Sequence, residues 1–298
     1  MMKKCVLVIL AALLLPYMVT LAWTGRIQGE DEILTLPSGR YIVIQQNGLE
    51  KKVDAEEYLI PLVAAQIPAD YGCEALRAQA IIARTYVYKK MGSRTEIGEE
   101  ELEIEDWEGG QMNGEIYEAA EEAVRSTGGK TITYEGNYID PLFHRASAGR
   151  TRMGTQEYPY LQPVECPKDV EAEEYLTVSV WTKQQFADKL NQWAQEKFVS
   201  PDQLPQTIQI IKRDDAGYVE QAQIGTRTLT GEEIRQALEL PSSCFALEEY
   251  EGGIRSICQG IGHGYGLSQY TAKLMAQEGK TGEEILSCFY KNIVVNSE

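Results

Sequence analysis

Apolar positions between residues 40 and 91 change from a strand-like to a helix-like spacing. Residues 40–46 (RYIVIQQ) are dense in apolar side chains and predict a strand, and residues 48–54 predict a second strand that returns beside it. Residues 54–65 predict a helix with Asp54 as its N-cap. The alanine-rich segment 73–91 contains neither glycine nor proline and predicts the clearest helix of the chain.

The later segments show both spacings but no repeated strand–helix–strand unit. Helices are predicted at 115–130, at 181–198 and in the segments EEIRQALEL and TAKLMAQEGKTGEEILSCFY; hairpins are predicted about Glu135 and Gly136 and over 207–231; and the acidic run 96–110 is predicted to be a solvated loop. Segregated strands and helices of this kind predict an α+β class, with mixed helices and mainly antiparallel strands.

A charge-free segment from Cys5 to Trp23 follows Lys3 and Lys4 at the N-terminus. A membrane-spanning helix needs about 20 apolar residues, whereas a cleaved export signal has a shorter core of about 7–15. We therefore predict one N-terminal transmembrane helix that anchors the chain in the cell membrane as a single-pass protein, with its C-terminal domain outside the cytoplasm. A cleaved export signal is the alternative, and it exports the same body.

Composition divides the chain into an anchor at 1–24, a polar tether at 25–33 and a large domain at 34–298. Within that domain, about 170–250 is a candidate subdomain.

The formal net charge is −17, which argues against nucleic acid as a partner because a polyanion needs a basic surface. Five cysteines lie beyond the anchor without a Cys-x-x-Cys pair, so they do not indicate a disulfide framework.

The segment QGIGHGYGLSQY, residues 259–270, places four alternating glycines around His263. Glycine is favoured where φ is positive or where another group approaches the backbone closely. The segment therefore predicts a backbone that lies open beside a polar side chain. The alternative is a tight loop in which His263 is structural.

Three separated stretches carry a family resemblance when they are taken together: VAAQIPADYGCEALRAQAIIARTY at 63–86, FHRASAGRT at 143–151 and GHGYGLSQYTA at 262–272. In this order they closely resemble the stage II sporulation protein D family, membrane-anchored lytic transglycosylases that act on peptidoglycan. The resemblance covers about residue 34 to the end. It implies a saccharide cleft between the helices and strands, and peptidoglycan glycan strands as the ligand during engulfment. It also implies other sporulation wall hydrolases or amidases as partners.

The resemblance also assigns cleft residues by their positions. The acid of the family is a glutamate in an A-A-E-M-P-like stretch, and Gln66 stands at that catalytic position in this chain. The substrate-binding residues that the motifs imply are Arg84, Tyr86, His144, Ser147, His263, Tyr265, Ser268, Gln269 and Tyr270. Thr271 is a departure, because the family pattern normally has glycine there.

Gln66 leaves the catalytic status open. Its amide can hydrogen-bond a sugar oxygen but cannot deliver a proton. Lytic cleavage needs a carboxylic acid beside the glycosidic oxygen while the 6-hydroxyl of N-acetylmuramic acid closes onto C1. The chain is thus a lytic transglycosylase with another acid, a non-catalytic glycan-binding scaffold, an amidase enhancer, or the carrier of an introduced Glu-to-Gln exchange. The other carboxylates to weigh are those of Asp70, Glu74, Asp140 and Glu157.

No cofactor is expected. His144 and Cys166 offer two suitable zinc ligands, which do not by themselves make a site. Asp140, His144 and Ser147 also suggest a catalytic triad, although three residues on one short strand and turn rarely reach the required geometry.

Overall fold

The structure is a computed structural model that describes residues 38–46, 48–104 and 114–297. Its helices are α1 Ala55–Gln66, α2 Cys73–Met91, α3 Gly114–Ser126, α4 Lys183–Ala194, α5 Gly231–Leu238, α6 Gln269–Gln277 and α7 Gly282–Phe289. Its strands are β1 Tyr41–Gln46, β2 Leu49–Asp54, β3 Glu96–Gly98, β4 Lys130–Tyr134, β5 Asn137–Tyr138, β6 Phe143–His144, β7 Leu176–Trp181, β8 Ile208–Arg213, β9 Val219–Ile224, β10 Arg227–Leu229, β11 Phe245–Tyr250, β12 Gly253–Gln259, β13 Leu267–Ser268 and β14 Val294–Ser297. The predicted mixed α+β class is confirmed.

The predicted anchor at 5–23 and the tether lie outside the described residues. Within the described part of the chain, no helix combines the length and the apolar character that crossing a bilayer requires.

The first core is built around α2, which packs against α1, α3, α6 and α7. Asp54 caps α1 as predicted, with its carboxylate accepting from the Glu56 amide at 2.9 Å. The first residues of the acidic run are not a solvated loop. Glu96–Gly98 form β3 parallel to β1 and bury Ile97, and Glu99–Leu102 form a 3₁₀ helix that buries Leu102.

Residues of the segment 181–258 form a second hydrophobic core. Here α4 packs against α5, and α5 packs on β9. Two antiparallel sheets surround these helices, in the strand orders β10–β9–β8 and β11–β12–β7.

A two-residue parallel ladder joins segments that are far apart in the sequence. β6 pairs with β13, so that His144 lies beside Ser268 and Phe143 beside Leu267. This ladder brings the FHRASAGRT and GHGYGLSQYTA segments together.

Arg84 lies wholly within the first core, although the sequence motif predicted it to bind substrate. Its guanidinium donates to both carboxylate oxygens of Glu56, at 2.6 and 2.7 Å, and to the carbonyls of Val124 and Lys130. The side chain is fully buried. These contacts tie α1, α3 and β4 to α2, which is a structural role.

Arg84→Met should therefore destabilise the protein by about 3–5 kcal/mol, because it leaves the Glu56 carboxylate largely buried and without its partner. Arg77→Met is the matched control on the same helix. Arg77 forms surface ion pairs with Glu74 and Glu122, so its loss should cost less than about 1 kcal/mol. Urea unfolding of the two variants measures the difference, and equal small effects would contradict the assignment of Arg84 to the core.

Candidate functional site

A cleft of about 490 Å³ opens beside the C-terminal end of α1. Its lining residues are Gln66, Ile82, Ala83, Tyr86, Glu103, Ile104, Asp140, Pro141, Leu142, Phe143, Tyr158 and His263. Three of the predicted site residues, Gln66, Tyr86 and His263, are among them. The cleft is mainly apolar and aromatic with a few polar groups, which is typical of small-ligand sites.

Gln66 is held by a network of three side-chain amides. α1 ends at this residue because Ile67 is extended, with φ −137° and ψ 137°, and Pro68 follows. Gln79 Nε2 donates to Gln66 Oε1 at 2.8 Å, and Gln269 Nε2 donates to the Gln66 carbonyl at 2.9 Å and to Gln79 Oε1 at 3.1 Å. Gln79 and Gln269 are both buried. The side-chain oxygen at position 66 therefore has a fixed orientation.

The two histidines lie together, but only His263 lines the cleft. Their ring centroids are 5.9 Å apart. His144 is buried behind His263, with Nδ1 donating to the Tyr265 carbonyl at 3.0 Å. His263 Nδ1 accepts from the Tyr265 amide, also at 3.0 Å. Burial lowers the pKa of His144 to about 4 and the pKa of His263 to about 3, so both rings are neutral at neutral pH.

A buried carboxylate that the sequence analysis missed fixes two of the motifs. Asp169 Oδ2 accepts from the Ser147 amide and hydroxyl, both at 2.7 Å, and from the Ser268 hydroxyl at 2.8 Å. Asp169 Oδ1 accepts from the Thr271 hydroxyl at 2.7 Å. Ser147 and Ser268 thus bind Asp169 from fully buried positions. Thr271, the departure from the family pattern, supplies the fourth hydrogen bond.

The four glycines around His263 all have positive φ, between 70° and 105°. The space beside them is filled by the protein's own atoms rather than left open. A Cβ on Gly262 would lie 2.7 Å from His144 Cβ, and a Cβ on Gly266 would overlap the Leu142 carbonyl. The glycines therefore allow this segment to pack against the 142–148 segment.

Cationic side chains lie over the rings of Tyr265 and Tyr270. Arg152 Cζ lies 4.4 Å from the Tyr265 centroid, and Arg152 Nε forms an ion pair with Asp214 at 2.5 Å. Tyr270 meets Tyr71 edge to face, with centroids 6.4 Å apart. Arg152 is a second residue that the sequence analysis missed, because its partners come from distant segments.

Among the carboxylates weighed as substitutes for the missing acid, Asp140 lines the cleft. It forms an ion pair with Lys89 Nζ at 2.5 Å. Asp70 pairs instead with Lys273 at 2.9 Å, and Glu74 pairs with Arg77 at 2.5 Å. Glu157 lies in an exposed turn.

The structure does not assemble the suggested triad. Ser147 donates to Asp169, His144 to Tyr265, and Asp140 pairs with Lys89. Burial raises the pKa of the Cys166 thiol to about 12, which disfavours the thiolate that zinc binds. Over the described ranges, no group of three or more His, Cys, Asp or Glu side chains is arranged to hold a metal ion.

Comparison with known proteins finds one matching family model and several similar proteins. A family model described as stage II sporulation protein matches residues 45–134. Stage II sporulation protein D of Bacillus subtilis (strain 168) is 30% identical over 288 residues, which cover 90% of this chain and 82% of that protein. Stage II sporulation protein D of Bacillus amyloliquefaciens is 30% identical over 268 residues, covering 83% and 75%. A protein named amidase enhancer from Bacillus subtilis (strain 168) is 23% identical over 287 residues, covering 79% of this chain and 40% of that protein.

Asp169→Asn should destabilise the protein by about 2–4 kcal/mol. The amide places an NH2 group against hydroxyl and backbone donors in a buried site, so at least one donor loses its acceptor. Asp70→Asn is the matched control, since its carboxylate is exposed and its ion pair is on the surface. Chemical unfolding measures the free energy of unfolding of both variants. If Asp169→Asn were as stable as the native chain, the four hydrogen bonds would not be what holds the motifs together.

Acid should destabilise the protein in the window from about pH 6.5 down to about pH 4, partly through His144. The unfolded histidine binds a proton near its ordinary pKa of about 6.5, while the folded one resists protonation until about pH 4, so stability present above pH 6.5 is lost as the pH falls. His144→Asn can still donate to the Tyr265 carbonyl but cannot titrate. Between about pH 6.5 and about pH 4, the free energy of unfolding should fall by at least about 1.4 kcal/mol less for this variant than for the native chain. Identical pH dependence in the two proteins would contradict the buried neutral state.

Proposed function

This chain belongs to the stage II sporulation protein D family, and from that premise we propose that it binds peptidoglycan glycan strands in the cleft beside Gln66. The family is involved in sporulation. The observation that carries the proposal is the position of Gln66: the residue at the family's acid position lies in an aromatic-lined cleft, with its oxygen fixed by Gln79.

The amide at position 66 suits binding better than proton transfer. It can donate to or accept from a sugar hydroxyl or N-acetyl group, but it has no proton to give to a leaving glycosidic oxygen. The aromatic rings of Tyr86 and Tyr158 line the same cleft and offer apolar surface to a sugar face. We therefore assign the Gln66 form a glycan-binding role in cell-wall remodelling during sporulation, attached to the membrane by the segment 5–23.

Lytic transglycosylase activity with Asp140 as the acid is the second candidate. The observation that favours it is that Asp140 lines the same cleft as Gln66. Asp140 would protonate the glycosidic oxygen and then accept the proton of the 6-hydroxyl as that oxygen bonds to C1, which yields a 1,6-anhydro end. A proton donor at Asp140 requires its ion pair with Lys89 to open.

Gln66→Glu should convert a glycan binder into an enzyme. The exchange is nearly isosteric, and Gln79 Nε2 can donate to a carboxyl oxygen as it does to the amide oxygen. General acid catalysis contributes about 10²–10⁴-fold, so release of 1,6-anhydro-muropeptides or anhydro sugars should rise at least about 100-fold over the Gln66 form. Mass spectrometry of digested glycan strands measures the product, and strand pull-down measures binding by both forms.

Asp140→Asn in the Gln66 form separates the two candidates. Abundant anhydro product from the Gln66 form that disappears in Asp140→Asn would establish the second candidate instead of the first. Gln66→Ala is the control for shape, since it removes the amide without supplying an acid. Absence of strand binding by the Gln66 form would overturn the glycan-binding proposal itself.

A further inference from the structure

A cluster of two cations and two tyrosines lies on the surface beside the Gln66 network. The first ring is that of Tyr71, which is buried, with Arg145 Cζ 5.8 Å and Lys273 Nζ 4.8 Å from its centroid. Tyr270 forms the second ring of the cluster, edge-on to Tyr71. We call these four residues the cationic tyrosine cluster.

The cluster carries more positive charge than its neighbouring carboxylate neutralises. Asp70 pairs with Lys273 at 2.9 Å, while the exposed Arg145 guanidinium rests on the Tyr71 ring. The whole chain has 45 acidic and 28 basic residues, so a surface cation that forms no ion pair within the protein is unexpected here. Burial raises the pKa of Tyr71, so its phenol stays neutral and supplies no compensating charge.

The cluster is attached to the Gln66 network through its own backbone. The Tyr270 amide donates to the Arg145 carbonyl at 3.0 Å. Tyr270 follows Gln269, whose amide holds the Gln66 carbonyl, and Tyr71 follows Gln66 through one 3₁₀ turn at Ala69–Tyr71. The Gln66 side chain lines the cleft, and the Gln66 carbonyl is held by the residue that precedes Tyr270, so Gln66 connects the cleft to the cluster.

The geometry points to a carboxylate-binding subsite formed by Arg145 and Lys273, next to the cleft, for an acidic group carried by the bound glycan. This inference rests on the proposed glycan binding and adds its charge selectivity. Arg145 offers a planar fork that matches a carboxylate, and Lys273 offers a second, partly neutralised charge. Glycan strands can supply the carboxylate from the lactyl group of muramic acid or from a peptide stem, and neutral N-acetylglucosamine oligomers supply none.

The test compares binding of three ligands by isothermal titration: stem-free glycan strands, stem-bearing strands and N-acetylglucosamine oligomers. Arg145→Ala should weaken binding of carboxylate-bearing strands about tenfold and leave the neutral oligomers unchanged. Arg145→Lys should recover part of the loss, and Lys273→Gln should have a smaller effect because Asp70 already pairs with Lys273. Added salt should weaken strand binding by the native chain more than by Arg145→Ala.

Arg227→Ala is the matched control. Arg227 also stacks on an aromatic ring, 5.4 Å from the Phe198 centroid, but it lies in β10 and pairs with Glu196. The Arg227→Ala variant should bind all three ligands as the native chain does. Because Arg145 is exposed, its replacement should leave the thermal midpoint nearly unchanged.

The outcomes distinguish a failure of the carboxylate subsite from a failure of the proposed glycan binding. A loss confined to stem-free strands assigns the lactyl carboxylate as the ligand group, and a loss confined to stem-bearing strands assigns a stem carboxylate; both support the subsite. Unchanged strand binding by Arg145→Ala, or an equal loss with neutral oligomers, overturns it. Failure of the native chain to bind any of the three ligands overturns the glycan-binding proposal instead.

Discussion

The buried carboxylate of Asp169 is the constraint on which the arrangement of the site depends. Removing a carboxylate from water costs several kcal/mol unless donors replace its hydration. Here the donors are neutral and come from Ser147, Ser268 and Thr271. Asp169 itself lies in the 3₁₀ helix Pro167–Glu171, between the two segments in the sequence. The segments are therefore placed by a residue that belongs to neither of them.

This constraint reaches Gln66 through a short series of contacts. The Ser268 hydroxyl binds Asp169 and also caps α6, by accepting from the Thr271 amide at 3.3 Å. The first residue of α6 is Gln269, whose side chain holds the Gln66 carbonyl. The end of α1 is thus fixed by the first residue of α6. A site that is positioned by such buried contacts presents its polar group to a ligand without needing to reorganise first.

Local sequence signals predicted the helices and the strands of 40–54 and 207–231 but not the β11–β12–β7 sheet, and the roles of the site residues depend on distant partners. The α2 helix follows from its alanine content, and the Asp54 cap follows from a carboxylate two residues before the amide that donates to it. Arg84 sits in a family motif, yet its partner Glu56 lies 28 residues away and draws it into the core. Asp169 was missed because its partners are 22 to 102 residues distant and no periodic pattern surrounds it.

Tyr218, a fully buried residue that precedes Val219 of the second core, also supports the site. Its hydroxyl accepts from the Ala148 amide at 3.0 Å, and its ring lies against Gly264, where a Cβ would overlap it. Arg152 then stacks on both Tyr218 and Tyr265 and donates to the His263 carbonyl. One buried tyrosine thus contacts both segments that Asp169 also joins, which explains why glycine is needed beside a histidine. The backbone there must leave room for Tyr218 while it turns His263 toward the cleft.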